Sequence, residues 1–436
     1  MHLKRTLFAL LLAALCLPAL QAKFGLLPIR PLEGWFVVSP HPELSYEALR
    51  NNEYQPKLEA YLQDRLGFRS ALVRLNYQVA YSVFDVIRAK ALIRGYNDVL
   101  FQDWPIDSYY GRDYVGDTMI RQWVRKMKVV QDSLTQRGVL FVFAIAPNKA
   151  AYYPEYIPEA WRGPRKTSNY WSTVREMQRQ GIHLLDFSAL FRQKKDTVSY
   201  PLFPRGGTHW SGYGTTLAAD TLLHYLEQRG HFDIPDYRVN GRDIVDTTRG
   251  YDADIATALN LMVKPQPFRM AYPRLEYLDP KPGQKKPNVL IIGDSFVWSF
   301  IDFYDFFPRL FDPKSTFWYY HRRVGWPGQA PLLQNVGTGA DVSRLDRKAE
   351  LEHRDVVLVL YAEYNLNQLD HGFTHHTYPF YERLSSTDSA RVGVITQEIR
   401  ADWGLMSRLH QEAIASGENF DTYIREKALN RFEAEQ

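Results

Sequence analysis

Cysteine is almost missing from this chain: of 436 residues only Cys16 carries a thiol, and it lies in an apolar N-terminal run. No disulfide can therefore staple the body together, and no Cys/His cluster has zinc-ligand spacing. Charge of one sign is also scarce. The net charge is +4, from 53 basic and 49 acidic residues, and no basic block or basic helix face accompanies it, which argues against a nucleic-acid partner. Internal repeats and low-complexity tracts are missing too. Beyond the N-terminus no apolar run approaches the roughly 20 residues that a membrane span takes. Such a chain has to stand on an ordinary core, and 45% hydrophobic residues in this length suffice for one large domain or two.

The N-terminus has the layout of a targeting segment. His2-Leu3-Lys4-Arg5 is cationic, 6–20 is apolar, and Gln21-Ala22-Lys23 follows, with Ala22 as a cleavage position. Residues 1–22 are expected to be a signal peptide or membrane anchor, which makes the protein exported or periplasmic. Residues 23–94 read as a Pro- and aromatic-rich arm, including Trp35 and Phe36, and then a helical region. In that region Ser45 caps the first helix and Gly67 divides two later ones. From 95 to 385 the helical stretches 117–136, 168–179 and 211–228 alternate with the apolar strands 139–146, 182–187, 289–292 and 355–361. Strands that are apolar without alternation are buried on both faces, so the expected fold is α/β: a three-layer sandwich on a mostly parallel sheet. The Pro- and Asp-rich stretch 232–287 reads as an insertion, and 386–436 as a C-terminal helical segment.

Chemistry concentrates where strands end. Val289 to Ile292 run into Gly293-Asp294-Ser295, placing a serine where a parallel strand hands over to a helix. Ser295 reads either as a nucleophile supported by Gly293 and Asp294 or as a helix N-cap. His209, in Gly206-Gly207-Thr208-His209-Trp210, sits on a loop before a helix, where an imidazole can serve as base. Asn148, just past the 139–146 strand, is a candidate oxyanion donor. The substrate-binding candidates are Lys149, for an anionic sugar; Arg322, Arg323 and Trp326, in a Gly/Pro-punctuated loop that includes Gly328; and Glu363 and Asn365, past the last strand. Each also has an ordinary structural reading as a turn, surface or core-supporting residue. Asp302, Asp305 and the pair His375-His376 show no metal spacing, so neither metal nor cofactor is expected.

These residues resemble a known family. Gly293-Asp294-Ser295-Phe296 with Thr208-His209-Trp210 is similar to the SGNH-hydrolase-like domain of alginate O-acetyltransferases of the AlgX/AlgJ type, in which the histidine precedes the serine. Pro147-Asn148-Lys149 with 153–158, 42–45 with Gly67-Phe68-Arg69, and Ala362-Glu363-Tyr364-Asn365-Leu366 extend the resemblance over about 40–431. It implies Ser295 as acyl-accepting nucleophile and His209 as base. It also implies an exported polysaccharide O-acetyltransferase with a glycan acceptor, fed by a membrane-bound O-acyltransferase (MBOAT) partner. A carbohydrate acetylesterase with the same Ser and His, and a non-catalytic glycan-binding or assembly protein, are the alternatives. The family commonly places an aspartate two residues before the histidine, and here Gly207 stands there. A Ser-His dyad oriented by a backbone carbonyl, another acidic residue in that role, or weakened catalysis would each answer for it.

Overall fold

Residues 139–146, 289–293 and 356–362 contain no charged side chain and form the centre of the main sheet. The computed structural model describes residues 2–34, 37–327, 341–382, 384–416 and 419–435; Trp35, Phe36 and Gly328 lie outside the described residues. In chain order the strands are β1 (Leu92–Arg94), β2 (Leu100–Gln102), β3 (Leu140–Ala146), β4 (Leu184–Asp186) and β5 (Tyr237–Val245). They continue with β6 (Met270–Tyr277), β7 (Val289–Gly293), β8 (Thr316–Tyr319), β9 (Arg323–Trp326) and β10 (Val356–Ala362). The main sheet has the order β4-β3-β10-β7-β8-β9, parallel except for the antiparallel edge pair β8–β9.

Alternate residues of the central strands feed two apolar cores. Val142, Ala144, Ile291, Leu358 and Leu360 face one, and Phe141, Phe143, Ile292, Val357 and Val359 the other. The helix Gly212–Gly230 covers the first face through Ala218, Leu222 and Leu226. Helices Asp117–Thr135 and Asn169–Gln180 cover the second through Val124, Met127, Val174 and Met177. Both faces of the sheet are therefore dry, which is why its strands could be apolar throughout, each large side chain contributing about 1.5–3 kcal/mol by leaving water.

Three regions frame this sandwich. Helix His2–Phe24 includes a stretch, Leu3–Phe24, long and apolar enough to cross a membrane: 22 residues at about 1.5 Å each span a bilayer core. The apolar run 6–20 falls short of a span by itself, and the helix continues beyond it through Lys23 and Phe24. Its last turns pack on Gly67, where a Cβ would meet the Pro18 carbonyl oxygen at 2.1 Å. Within 232–287, β5 and β6 pair as an antiparallel hairpin, and between them the short helix Asp254–Ala258 returns to the sheet edge. At the other end, helices Ser386–Ala401, Trp403–Ser416 and Phe420–Glu435 enclose a core of their own that includes Ile395, Leu409 and Ile424. Lys126 donates to Asn430 at 3.1 Å, one tie between this cluster and the body.

Candidate active site

The end of β7 is built to expose one hydroxyl. At Gly293 a Cβ would lie 2.3 Å from the Leu360 carbonyl oxygen on the neighbouring strand, so only glycine fits. Asp294, fully buried, then ties the two strand ends together. Its Oδ1 accepts from Phe296 N (3.0 Å), and its Oδ2 accepts from Ala362 N and Asn365 Nδ2 (2.7 Å each). Burial holds its carboxyl above the usual range against these three donors. Ser295 opens the helical turn that Asp294 caps, with its N–H among the orphan donors of a helix start.

His209 reaches this serine from the loop ahead of Gly212–Gly230. Its Nε2 is 2.8 Å from Ser295 Oγ across 86 residues of chain. The buried Trp210 beside it packs on Phe187, Phe191 and Phe296, and Phe296 meets the imidazole edge-on at 4.9 Å. On its far side His209 Nδ1 is 2.8 Å from Asp254 Oδ2. Asp254 Oδ1 accepts from Thr208 N (2.8 Å) and from Ile255 N (2.6 Å). With a carboxylate at Nδ1, that nitrogen carries the proton and Nε2 faces the serine as an acceptor, which makes Ser295, His209 and Asp254 a hydrogen-bonded triad.

Asp254 is thus the acid at the position left open by Gly207, and it comes from the inserted excursion 45 residues beyond the histidine. No sequence pattern pointed to it: it stands among other aspartates with no spacing relative to His209 that marks a pair. Gly207 itself is required by space. A Cβ there would sit 2.9 Å from both the carbonyl carbon and oxygen of Asp252, and 2.8 Å from Pro204 Cγ.

A cavity of about 720 Å³ opens over the triad. Its walls carry aromatic rings (Trp104, Tyr251, Trp298, Tyr319) and side-chain amides (Gln102, Asn365). Asn365 keeps its expected place at the site, with one of its amide N–H groups spent on Asp294.

Other candidates have different tasks. Asn148 is not an oxyanion donor: it is fully buried, its Nδ2 donates to Pro105 O (2.8 Å) and its Oδ1 accepts from Ala150 N (2.8 Å), so it caps the helix Lys149–Tyr152. Lys149 is likewise not a sugar ligand. Its buried Nζ donates to the carbonyls of Arg205 and Gly207 (2.8 Å each), bracing the loop that carries His209, and burial lowers its pKa to about 7. Glu363 turns into the core, where it accepts from Ser188 and from Arg192 (3.4 Å); burial pushes its pKa up to about 7. The loop expected at 321–328 includes the edge strand β9, in which Trp326 is buried and Arg323 bridges to Asp341. Arg322 is exposed on the turn before β9, outside the cavity lining. Among the described residues no cluster of His, Cys, Asp and Glu could hold a metal.

Asp252, two residues before the triad acid, makes a separate prediction. Buried, with Tyr272 Oη donating to its Oδ2 at 2.7 Å, it has its pKa raised by burial to about 7. Between the unfolded carboxyl value of about 4 and this one, the folded chain holds a proton the unfolded chain has released, so stability falls as pH rises through that window. Asp252→Asn keeps an oxygen for Tyr272 and removes the charge. It is expected to raise stability by roughly 1–3 kcal/mol at about pH 8, with the gain vanishing near about pH 4. Thermal unfolding across pH checks this, and equal midpoints for both proteins at the higher pH would contradict it.

A mostly parallel α/β sandwich with a serine, a histidine and an aspartate bonded in series beside the carboxyl ends of its strands defines a serine-triad protein. Residues 92–312 match the family model described as SGNH hydrolase-like domain, acetyltransferase AlgX, and the chain belongs to that family. Among curated proteins it is similar to the probable alginate O-acetylase AlgJ of Pseudomonas aeruginosa, 26% identical over 185 residues, which cover 38% of this chain and 46% of the relative. It is also similar to the alginate biosynthesis protein AlgX of the same organism, 24% identical over 135 residues, which cover 30% of this chain and 28% of the relative. The chain thus spans less than half the length of the curated relatives it matches. A solved structure, the O-acetyltransferase domain of Pseudomonas putida AlgJ, is 19% identical with a TM-score of 0.44, covering 66% of this chain and 99% of that one.

Proposed function

We propose that this chain is an exported polysaccharide O-acetyltransferase working through an acetyl-Ser295 intermediate. The observation that carries the reading is the bonded series Ser295–His209–Asp254 beneath an aromatic-walled cavity. Family membership agrees with it, since the relatives are named for alginate O-acetylation and alginate biosynthesis.

The steps follow from the geometry. Ser295 Oγ attacks the acetyl carbonyl of the donor as His209 Nε2 takes its proton, and Asp254 steadies the imidazolium that forms. The oxyanion donors we assign are the Ser295 N–H at the helical turn and the second N–H of Asn365, in place of Asn148. Collapse expels the donor's leaving group, which takes the proton from His209. A sugar hydroxyl then attacks acetyl-Ser295, gives its proton to His209, and leaves as the ester while that proton returns to Ser295 Oγ. The apolar N-terminal helix acts as a signal or anchor at the membrane, where an MBOAT partner hands acetyl outward to this domain. Asp254 beside His209, where Gly207 offers no carboxylate, supports the catalytic reading over a non-catalytic one.

Incubating the protein with an activated acetyl ester and an oligosaccharide tests the reading. The expected products are an acetyl group on the Ser295 peptide and acetylated oligosaccharide, both read by mass spectrometry. Acetate release with no acetylated sugar would establish the esterase instead, and an unlabelled Ser295 would end the nucleophile assignment.

A further inference from the structure

The charges around the cavity have the wrong sign for a polyuronate. The carboxylates lining it are Asp107, Asp113 and Asp254, and among the described residues neither lysine nor arginine lines it. Residues 328–340, outside the described ones, contain no charged side chain that could reverse the balance. The basic residues expected to bind substrate are placed elsewhere: Lys149, expected to meet an anionic sugar, is in the core, Arg323 is on β9, and Arg322 is exposed on the turn before β9, outside the cavity lining. Arg112 is held by Asp107 at 2.7 Å and by the Trp161 carbonyl. His371, which does line the cavity, has its pKa lowered to about 4 by burial and by Arg322, so it is neutral at physiological pH.

What the walls do offer is suited to hydroxyls. Asp113 lines the cavity with a carboxyl that burial holds above the usual range, although its Oδ1 is itself shut off from solvent. Gln102, Asn367 and Gln368 add amides, and Trp104, 43% exposed, offers an indole at the cavity for the apolar face of a sugar ring.

Resting on the transferase reading, we propose that the acceptor is a polysaccharide without carboxylates, a neutral hexose or amino-sugar polymer, and that the cavity rejects polyuronates. A uronate carboxylate placed over Ser295 would meet Asp113 and Asp254 on walls that offer it no lysine or arginine among the described residues, with the Asp107 charge already taken up by Arg112, whereas sugar hydroxyls can bond to the amides of Gln102, Asn367 and Gln368.

The test measures binding apart from catalysis. Full-length Ser295→Ala protein is titrated calorimetrically with a glucose, a glucosamine and a mannuronate oligomer of equal length. The glucose or the glucosamine oligomer is expected to bind at least about tenfold more tightly than the mannuronate oligomer at low salt, with the gap narrowing as salt rises. In Asp107→Asn/Asp113→Asn protein, mannuronate binding should improve by about tenfold, since the substitutions remove two like charges and release Arg112. Mannuronate binding as tightly as the tighter of the other two oligomers, or no binding by either non-uronate oligomer, would overturn the proposal. Because no acetyl transfer is involved, those outcomes leave the labelling of Ser295 to decide the transferase reading on its own.

Discussion

Ser295→Ala is expected to reduce acetyl transfer by a factor on the order of 10⁴–10⁶, because the acyl group then has no oxygen on which to rest. The fold should not notice. Among the described residues Ser295 Oγ bonds only to His209 Nε2, and the strand end is held by Asp294 through Phe296, Ala362 and Asn365, none of which uses the hydroxyl. An unchanged melting temperature beside lost turnover and lost acetyl labelling is the expected pair of results. His209→Ala should come close to the same loss, since a neutral hydroxyl without a base is a poor nucleophile. Turnover by Ser295→Ala at more than a small fraction of wild type would place the chemistry elsewhere.

Asp254→Asn is the second large effect expected, a fall in kcat of about 10³–10⁴. The substituted amide still offers an oxygen to Thr208 N and Ile255 N, so the local chain is preserved. Its NH₂ group, however, would face His209 Nδ1 and donate to it, which drives the ring proton to Nε2 and leaves Ser295 facing a donor. KM should change little and kcat much. Moving the acid to the family position should not repair the loss. In Gly207→Asp the new Cβ would lie 2.9 Å from the Asp252 carbonyl and 2.8 Å from Pro204 Cγ, and backbone on that side cannot swing away. Activity is expected to drop in the single variant and to stay down when it is combined with Asp254→Asn. Recovery in the double variant would show that the two positions are interchangeable and that the packing argument is wrong. Steady-state kinetics with an activated ester, beside circular dichroism, separates these outcomes.

The part of this molecule that could be read in advance is the part governed by local pattern. β3, β7 and β10 were legible because a strand buried on both faces tolerates nothing polar over its length. The helix expected over 168–179 is formed by Asn169–Gln180 and ends at Gly181, left-handed at φ 70°. Ser295 and His209 stood out because each interrupts such a pattern at its end. β8 and β9 did not stand out: they are four residues each, and Gly325 within β9 reads as a turn although it lies against the Trp298 ring. The side chains of Asn148, Lys149 and Glu363 lie on the expected edge but turn inward, a choice made by carbonyls and hydroxyls contributed from distant segments. Asp254 was illegible for the same reason. Which of several nearby aspartates meets the imidazole depends on how the excursion folds back, and that is tertiary information.

The source of that aspartate gives the protein an unusual vulnerability. In a loop that supplied both acid and imidazole, the two would rise and fall together. Here the acid arrives on a five-residue helix between the arms of a hairpin outside the main sheet, docked through Thr208, Ile255 and the buried Asp252. Loosening that hairpin would silence the serine while the sandwich beneath remained intact, so inactivation and unfolding are separable events in this architecture. Whatever settles on the hairpin from outside thereby holds a throttle on the chemistry without touching a reacting atom.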